Sequence, residues 1–138
     1  MNESASELSA FESPWAKEMG ITLTEASAER VNAEWEVSPR HHQAQGIVHG
    51  GFYCSVVETL ASIGAAIAAR PRNQIVVGLE NSTSFLRAVR SGRLYAVAMP
   101  LNQGRTTQLW EVKIRDQAER LIATGRLRTI ALEEKLGR

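Results

Sequence analysis

One carboxylate, Glu58, interrupts an otherwise uncharged stretch running from Gly51 to Ala69. A charge withdrawn from water without a partner is costly, so this one needs either a partner or a task. Val48-His49-Gly50-Gly51 stands where the apolar stretch begins. Glycines at the start of a helix let backbone N–H groups approach a ligand closely, and the helix dipole favours negative charge there. Such a turn is a ready oxyanion hole. Ser62 follows Glu58 by four residues, so on a helix the two side chains share a face, and the hydroxyl can bind the carboxylate or a water beside it. A carboxylate acting as nucleophile or base, with N–H donors for a developing oxyanion, suits attack on an acyl carbonyl.

The spacing adds a constraint. Glu58 lies eight residues beyond Gly50, and eight residues of helical rise separate them by about 12 Å along the axis. One carbonyl, about 3 Å from each reacting group, cannot bridge that gap within one helix. If both groups serve the same carbonyl, they come from two chains. An antiparallel pairing of two such helices brings Gly50 of one subunit beside the partner subunit's Glu58, twice, as in a two-fold dimer.

Plainer roles compete. Glu58 can be satisfied by Ser62, Thr59 or a subunit interface; His49 can order the loop rather than move a proton; Gly50 and Gly51 can simply permit close packing. Cys54 has no adjacent base and reads as a small core residue. His41 and His42 point in different directions on an extended chain and have no third or fourth ligand at a useful spacing, so no metal site is expected.

The elements that must position these groups are legible from periodicity. Residues 9–18 suit a short helix, with Ser13 before Pro14 as cap and first-turn pair, stopping at Gly20. Strands follow, and in residues 30–37 Val31, Ala33, Trp35 and Val37 alternate with polar neighbours. A polar loop, 39–48, leads into the apolar helix, which ends near Arg70 because Pro71 blocks simple continuation. Beyond it, 74–79 and 83–89 read as one long or bulged strand, and 94–101, 108–115 and 121–132 as three more, with turns at Ser91-Gly92, Gln103-Gly104 and Asp116-Gln117. In 108–115 the dry face is Gln108, Trp110, Val112 and Ile114; in 121–132 it is Leu121, Ala123 and Leu127. The fold class is therefore α+β: an antiparallel sheet whose dry face wraps one long helix.

The whole chain sets bounds. Its 138 residues, 43% apolar, suit a single domain spanning 1–138, with the small, polar residues 1–8 expected to be disordered. Sixteen Lys and Arg against fifteen Asp and Glu leave a net charge of +1, which gives no argument for nucleic acid or an anionic membrane. One cysteine and an N-terminus without a signal pattern point to the cytoplasm. The stretch 50–69 has the length of a membrane span, but Gly50, Gly51, Ser55, Glu58, Thr59, Ser62 and Gly64 make it a poor one.

Gln43-x-x-Gly46-x-x-His49-Gly50-Gly51, with an acidic residue nine positions after the histidine, resembles the hotdog-fold acyl-CoA thioesterases of the phenylacetate-pathway and 4-hydroxybenzoyl-CoA thioesterase type. The likeness continues through Phe85-Leu-Arg-Ala-Val-Arg-Ser-Gly92, Gly104-Arg105 and Leu121-Ile-Ala-Thr124. It implies a sheet wrapped around a central helix in a homodimer, often a tetramer. It implies Glu58 as nucleophile or base, the Gly50 N–H as oxyanion donor, Gln43 near the acyl carbonyl, and Ser62 positioning water or the carboxylate. Many relatives carry Asn and Asp where this chain has Gln43 and Glu58, and the Gln and Glu pair matches the arylacyl-CoA subset. A CoA thiol with a pKa near about 8.5 leaves without a strong acid, so no cofactor is needed and CoA belongs to the substrate. Arg87, Arg90 and Arg105, with Gly51 and Thr106, are candidates for CoA binding, and Phe52, Tyr53, Leu79, Phe85 and Trp110 for the acyl pocket. The alternatives are an acyl-thioester hydratase or dehydratase, whose Phe-Pro-containing histidine motif is absent here, and a non-catalytic acyl-CoA-binding module.

Overall fold

A computed structural model describes residues 5–133. Two short helices, α1 (Ala5–Ser9) and α2 (Pro14–Glu18), precede strands β1 (Thr22–Ala26) and β2 (Val31–Glu36). A 3-10 turn at Pro39–His41 leads to the long helix α3 (Gly50–Ala69), and a second at Arg70–Arg72 to β3 (Gln74–Phe85), β4 (Arg93–Gln103), β5 (Thr107–Asp116) and β6 (Leu121–Glu133). The strands form one sheet in the order β1-β2-β4-β5-β6-β3, antiparallel throughout. The expected sheet around one helix is present, with α3 packed on β2 through β6. By length and composition alone α3 would also pass for a membrane span; here it is the core helix of the domain.

The dry face of β5 is the expected one: Gln108, Trp110, Val112 and Ile114 are all buried. Trp110 lies so close under α3 that a Cβ on Gly64 would stand 2.3 Å from its ring, which is why glycine occupies that turn. Its indole N–H donates to Gln108 Oε1 (2.8 Å), and the Gln108 amide donates to Ala65 O (3.1 Å), so the buried polar atoms pin sheet to helix. Trp110 is therefore core, not acyl pocket. Phe52 is core as well, wedged among Trp15, Trp35 and His41 at ring separations of 5.9, 5.4 and 4.4 Å.

Several boundaries differ from the sequence reading. The helix expected over 9–18 is two helices, because Pro14 cannot donate into a continuing turn; Ser13 caps the second by accepting from the Ala16 N–H at 3.1 Å. Of residues 1–8, 1–4 lie outside the described residues, while residues 5–8 are helical rather than disordered and Leu8 is buried in the core. Strand β3 is continuous to Phe85, with Leu79 bulged between Gly78 and Glu80, and 86–89 turn away from it. In β6 the register skips Ile122, so Ile122 and Ala123 face the core in succession while Leu121 is only half-buried.

Candidate active site

Helix α3 starts from a loop held by histidines. His41 is 1% exposed. Its Nδ1 accepts from the Ser38 N–H (3.1 Å), so Nε2 carries the proton and donates to Met19 O (2.8 Å). Burial, then the charges on Arg40 and His42, hold its pKa below the ordinary value, against a raising effect from the Met19 carbonyl. His42 Nε2 lies 2.8 Å from Arg90 O and acts as a second strut. The Arg90 guanidinium donates to Gln45 O (2.9 Å) in the turn beside Gly46, whose φ is +78°. These histidines are thus tied to carbonyls, and one guanidinium nitrogen of the exposed Arg90 ties the loop.

His49 caps α3. Its Nδ1 accepts from the Gly51 N–H at 2.7 Å, and a Cβ on Gly51 would stand 2.8 Å from the imidazole. The Gly51 N–H, expected to meet substrate, is therefore occupied. The Gly50 N–H makes no hydrogen bond among the described residues, the usual state of a first-turn donor. Gly50 lines a cavity of about 320 Å³ shared by Gln43, Tyr53, Phe85 and Arg87. The Gln43 side-chain oxygen accepts from the Gln45 N–H, leaving its amide N–H groups unbonded. The Tyr53 hydroxyl is buried without a hydrogen-bond partner among the described residues, and burial pushes its pKa up to about 12. The Phe85 ring lies over Gly50 at a distance that leaves no room for a Cβ.

Glu58 opens onto a different groove, of about 470 Å³, with Ser55, Thr59, Ser62 and Ile63 along the helix and Phe11, Ser13 and Trp15 opposite. Read from sequence as withdrawn from water, the carboxylate is exposed in the single chain, since the N-terminal helices cover only one side of α3 and the sheet the other. Ser62 shares its groove, as the i, i+4 spacing requires, but the two make no hydrogen bond. Gly50 and Glu58 thus face separate hollows, as the axial spacing anticipates.

The remaining candidates do not converge in one chain. Arg87 lines the Gly50 cavity. Arg105 and Thr106 sit on the β4–β5 turn by the other end of α3, where Arg105 O accepts from Gln74 Nε2 (3.2 Å) and Thr106 O from the Ala131 N–H (2.7 Å). Leu79, like Phe85, is more than half exposed on the edge strand β3. A larger hollow, about 710 Å³, lies on the outer sheet face by Tyr95, Lys113 and Arg115; it contains neither the glycine turn nor Glu58, so size alone does not mark the chemistry. Sequence reasoning missed Phe11 and Trp15, whose only signal was that both fall on the apolar side of a short N-terminal segment. It also missed the unpartnered Tyr53 hydroxyl.

Comparison with known proteins gives a consistent result. Residues 45–123 match the family model described as the thioesterase superfamily. The proofreading thioesterase EntH of Cronobacter sakazakii is 39% identical over 114 residues, 83% of this chain and 82% of that protein. The 1,4-dihydroxy-2-naphthoyl-CoA hydrolase of Listeria monocytogenes is 36% identical over 117 residues, covering 85% and 94%. Among solved structures, a thioesterase from Haemophilus influenzae superposes with a TM-score of 0.89 at 27% identity, covering 100% of this chain and 97% of that one.

Proposed function

The chain belongs to the thioesterase superfamily, hotdog-fold hydrolases of thioesters, and from that premise we propose that it hydrolyses an acyl-CoA to the free acid and CoA, with Glu58 carrying the chemistry. The observation behind this reading is the pairing of a Gly50 N–H at the head of α3 with a Glu58 carboxylate two turns along, neither of them hydrogen-bonded among the described residues. The Gly50 N–H, reinforced by the helix dipole, polarises the thioester carbonyl, and Gln43 donates beside it. Glu58 either attacks the carbonyl carbon or takes a proton from a water that does, and Ser62 orients that water or the carboxylate. The tetrahedral oxyanion collapses, the C–S bond breaks, and CoA leaves as thiolate; where water attacked, the free acid forms directly, and where Glu58 attacked, water then hydrolyses the acyl–Glu58 anhydride to the free acid and restores the carboxylate. His49 acts as a positioning residue, through its cap on Gly51.

The site is shared between two subunits in this reading. Edge strand β3 supports it: twelve residues long, it exposes Val77, Leu79 and Phe85 beside the open face of α3, a surface suited to a partner edge. Pairing there carries Glu58 out of water and against the partner's glycine turn. Arg87 near one glycine turn and Arg105 with Thr106 near the far end of α3 meet the CoA phosphates in the assembly, which is a dimer and then a tetramer. A cytoplasmic location fits the single Cys54. CoA enters with the substrate, and the route calls on no further cofactor.

CoA release followed with a thiol reagent tests the reaction. Benzoyl-, phenylacetyl-, short-chain and long-chain acyl-CoAs form the panel, and turnover of at least one class is expected. Binding without turnover across the panel would replace hydrolysis with an acyl-CoA-binding role.

A further inference from the structure

Among the described glycines, one has no structural reason to be glycine. Every other either carries a φ between +71° and +98° or would bring a Cβ within 2.8 Å of another residue. Gly78, in the middle of β3, does neither: its φ lies outside the left-handed region, and a Cβ there would stand 3.7 Å from Leu127 Cδ1 and 3.9 Å from Glu58 Oε1, ordinary contact distances. Glycine inside a strand is less stable than alanine, and where packing does not demand it, it marks the close approach of a ligand or another backbone. We propose that Gly78 is a positioning residue: it keeps the strand side of the Glu58 carboxylate open, so that the attacking water or the thioester carbon reaches Oε1. The inference rests on the reading that Glu58 carries the chemistry.

The register of β3 shows how a glycine comes to stand there. Phe85, Thr83 and Asn81 pair with Ala123, Gly125 and Leu127, all buried, so these alternate residues face α3. Two contacts agree: the Phe85 ring lies against Gly50, and Asn81 Nδ2 donates to Cys54 O at 2.8 Å. Unbroken alternation would next bring Leu79 to the level of Glu58. The bulge between Gly78 and Glu80 advances the pairing by one residue, so Gly78 stands opposite the buried Thr129 and faces the carboxylate. The strand therefore passes Glu58 with a residue that has no side chain.

The opening is held in place. Asn81 ties the strand to the helix one turn before Glu58, and Leu127 of β6 packs beside the same point, so the strand does not settle onto the carboxylate. A water hydrogen-bonded to a carboxylate oxygen sits about 2.7–2.8 Å from it, inside the 3.9 Å at which a Cβ on residue 78 would stand. A methyl group there takes the strand-side approach, and a branched side chain covers more of the oxygen. The exposed Gly78 is thus glycine at some cost in strand stability, and what it leaves free is access to the reacting group.

The test is CoA release by the full-length protein from benzoyl-, phenylacetyl-, hexanoyl- and palmitoyl-CoA, in wild type, Gly78→Ala and Gly78→Val, with a thermal melt and a gel-filtration profile of each. Gly78→Ala is expected to keep the wild-type elution volume and to melt at the wild-type temperature or about 2–3 °C above it, while kcat on the best substrate falls roughly 10-fold. Gly78→Val, a residue that strands favour, is expected to lose roughly 100-fold or more. A structural glycine would give the reverse, a lower melting temperature with activity following the folded fraction. Gly78→Ala that turns over within about 2-fold of wild type, that melts more than about 3 °C lower, or that changes its elution volume overturns the proposal. Gly78→Ala carries the test alone if Gly78→Val fails to fold. Glu58→Gln run alongside separates the two readings: full turnover there defeats the catalytic assignment, whereas its loss beside a wild-type kcat in Gly78→Ala defeats only the role of Gly78.

Discussion

His49 offers a sharp choice between holding the helix and moving a proton. Its Nδ1 accepts from the Gly51 N–H at 2.7 Å, so His49→Ala removes the cap of α3 and frees a donor next to the Gly50 oxyanion site. Losing an N-cap costs about 1 kcal/mol. At about 2.1 cal/mol/K per residue, a chain of 138 residues unfolds with an entropy near 0.29 kcal/mol/K, so Tm should drop by about 3–4 °C. His49→Asn supplies a carboxamide oxygen in place of Nδ1, and asparagine ranks among the best caps. The assays are a thermal melt and kcat/KM for the best thioester substrate, on all three proteins. A positioning role requires Asn to restore Tm to within about 1 °C and activity to within about 3-fold, because the cap is what matters. A proton-transfer role is worth roughly 10²- to 10⁴-fold, and asparagine cannot fill it. His49→Asn that melts like wild type but loses more than about 100-fold in activity would refute the reasoning.

Three further outcomes follow from particular contacts. Glu58→Ala and Gln43→Ala, the latter removing the amide that lines the hollow at Gly50, should each be close to inactive. Unfolded and refolded together they should regain about a quarter of wild-type activity, since half the dimers are mixed and each has one intact shared site; CoA release after mixing checks this, and no recovery argues for a site within one chain. Gly64→Ala drives a Cβ to within 2.3 Å of the Trp110 ring, which its bond to Gln108 keeps from swinging away; overpacking of this kind costs about 1–3 kcal/mol, or about 3–10 °C in Tm, read by calorimetry. His41 has its pKa lowered from 6.5 by burial, so below that pH the unfolded chain takes up a proton the folded chain does not, and stability falls as pH drops through that window, by at most about 1.4 kcal/mol per unit. Denaturant titrations between pH 7 and 5 should show this slope in wild type and a shallower one in His41→Gln.

Much of the fold was legible because its signals are local. The alternation of Gln108, Trp110, Val112 and Ile114, the uncharged run after Gly51, and the Ser13-Pro14 pair each mark an element through its own residues, and the structure bears them out. What was not legible depends on residues meeting from afar. Trp110 looked like a pocket residue because nothing in its own strand shows that Gly64 lies above it. The bulges at Leu79 and Ile122 shift faces by one residue, which a period-two reading cannot anticipate. At the site, the glycine turn and Glu58 announce themselves by type and spacing. That His49 occupies the Gly51 N–H, that Arg90 reaches Gln45, and that Phe11 and Trp15 line the same groove as Glu58 all require the chain to have folded.

The central claim is that the Glu58 carboxylate carries thioester hydrolysis, and the most direct test is steady-state CoA release by Glu58→Gln, a nearly isosteric change. The account requires a loss of roughly 100-fold or more in kcat by a protein that still folds and assembles. Turnover within a few-fold of wild type by a folded Glu58→Gln protein would contradict it and remove the carboxylate from the mechanism.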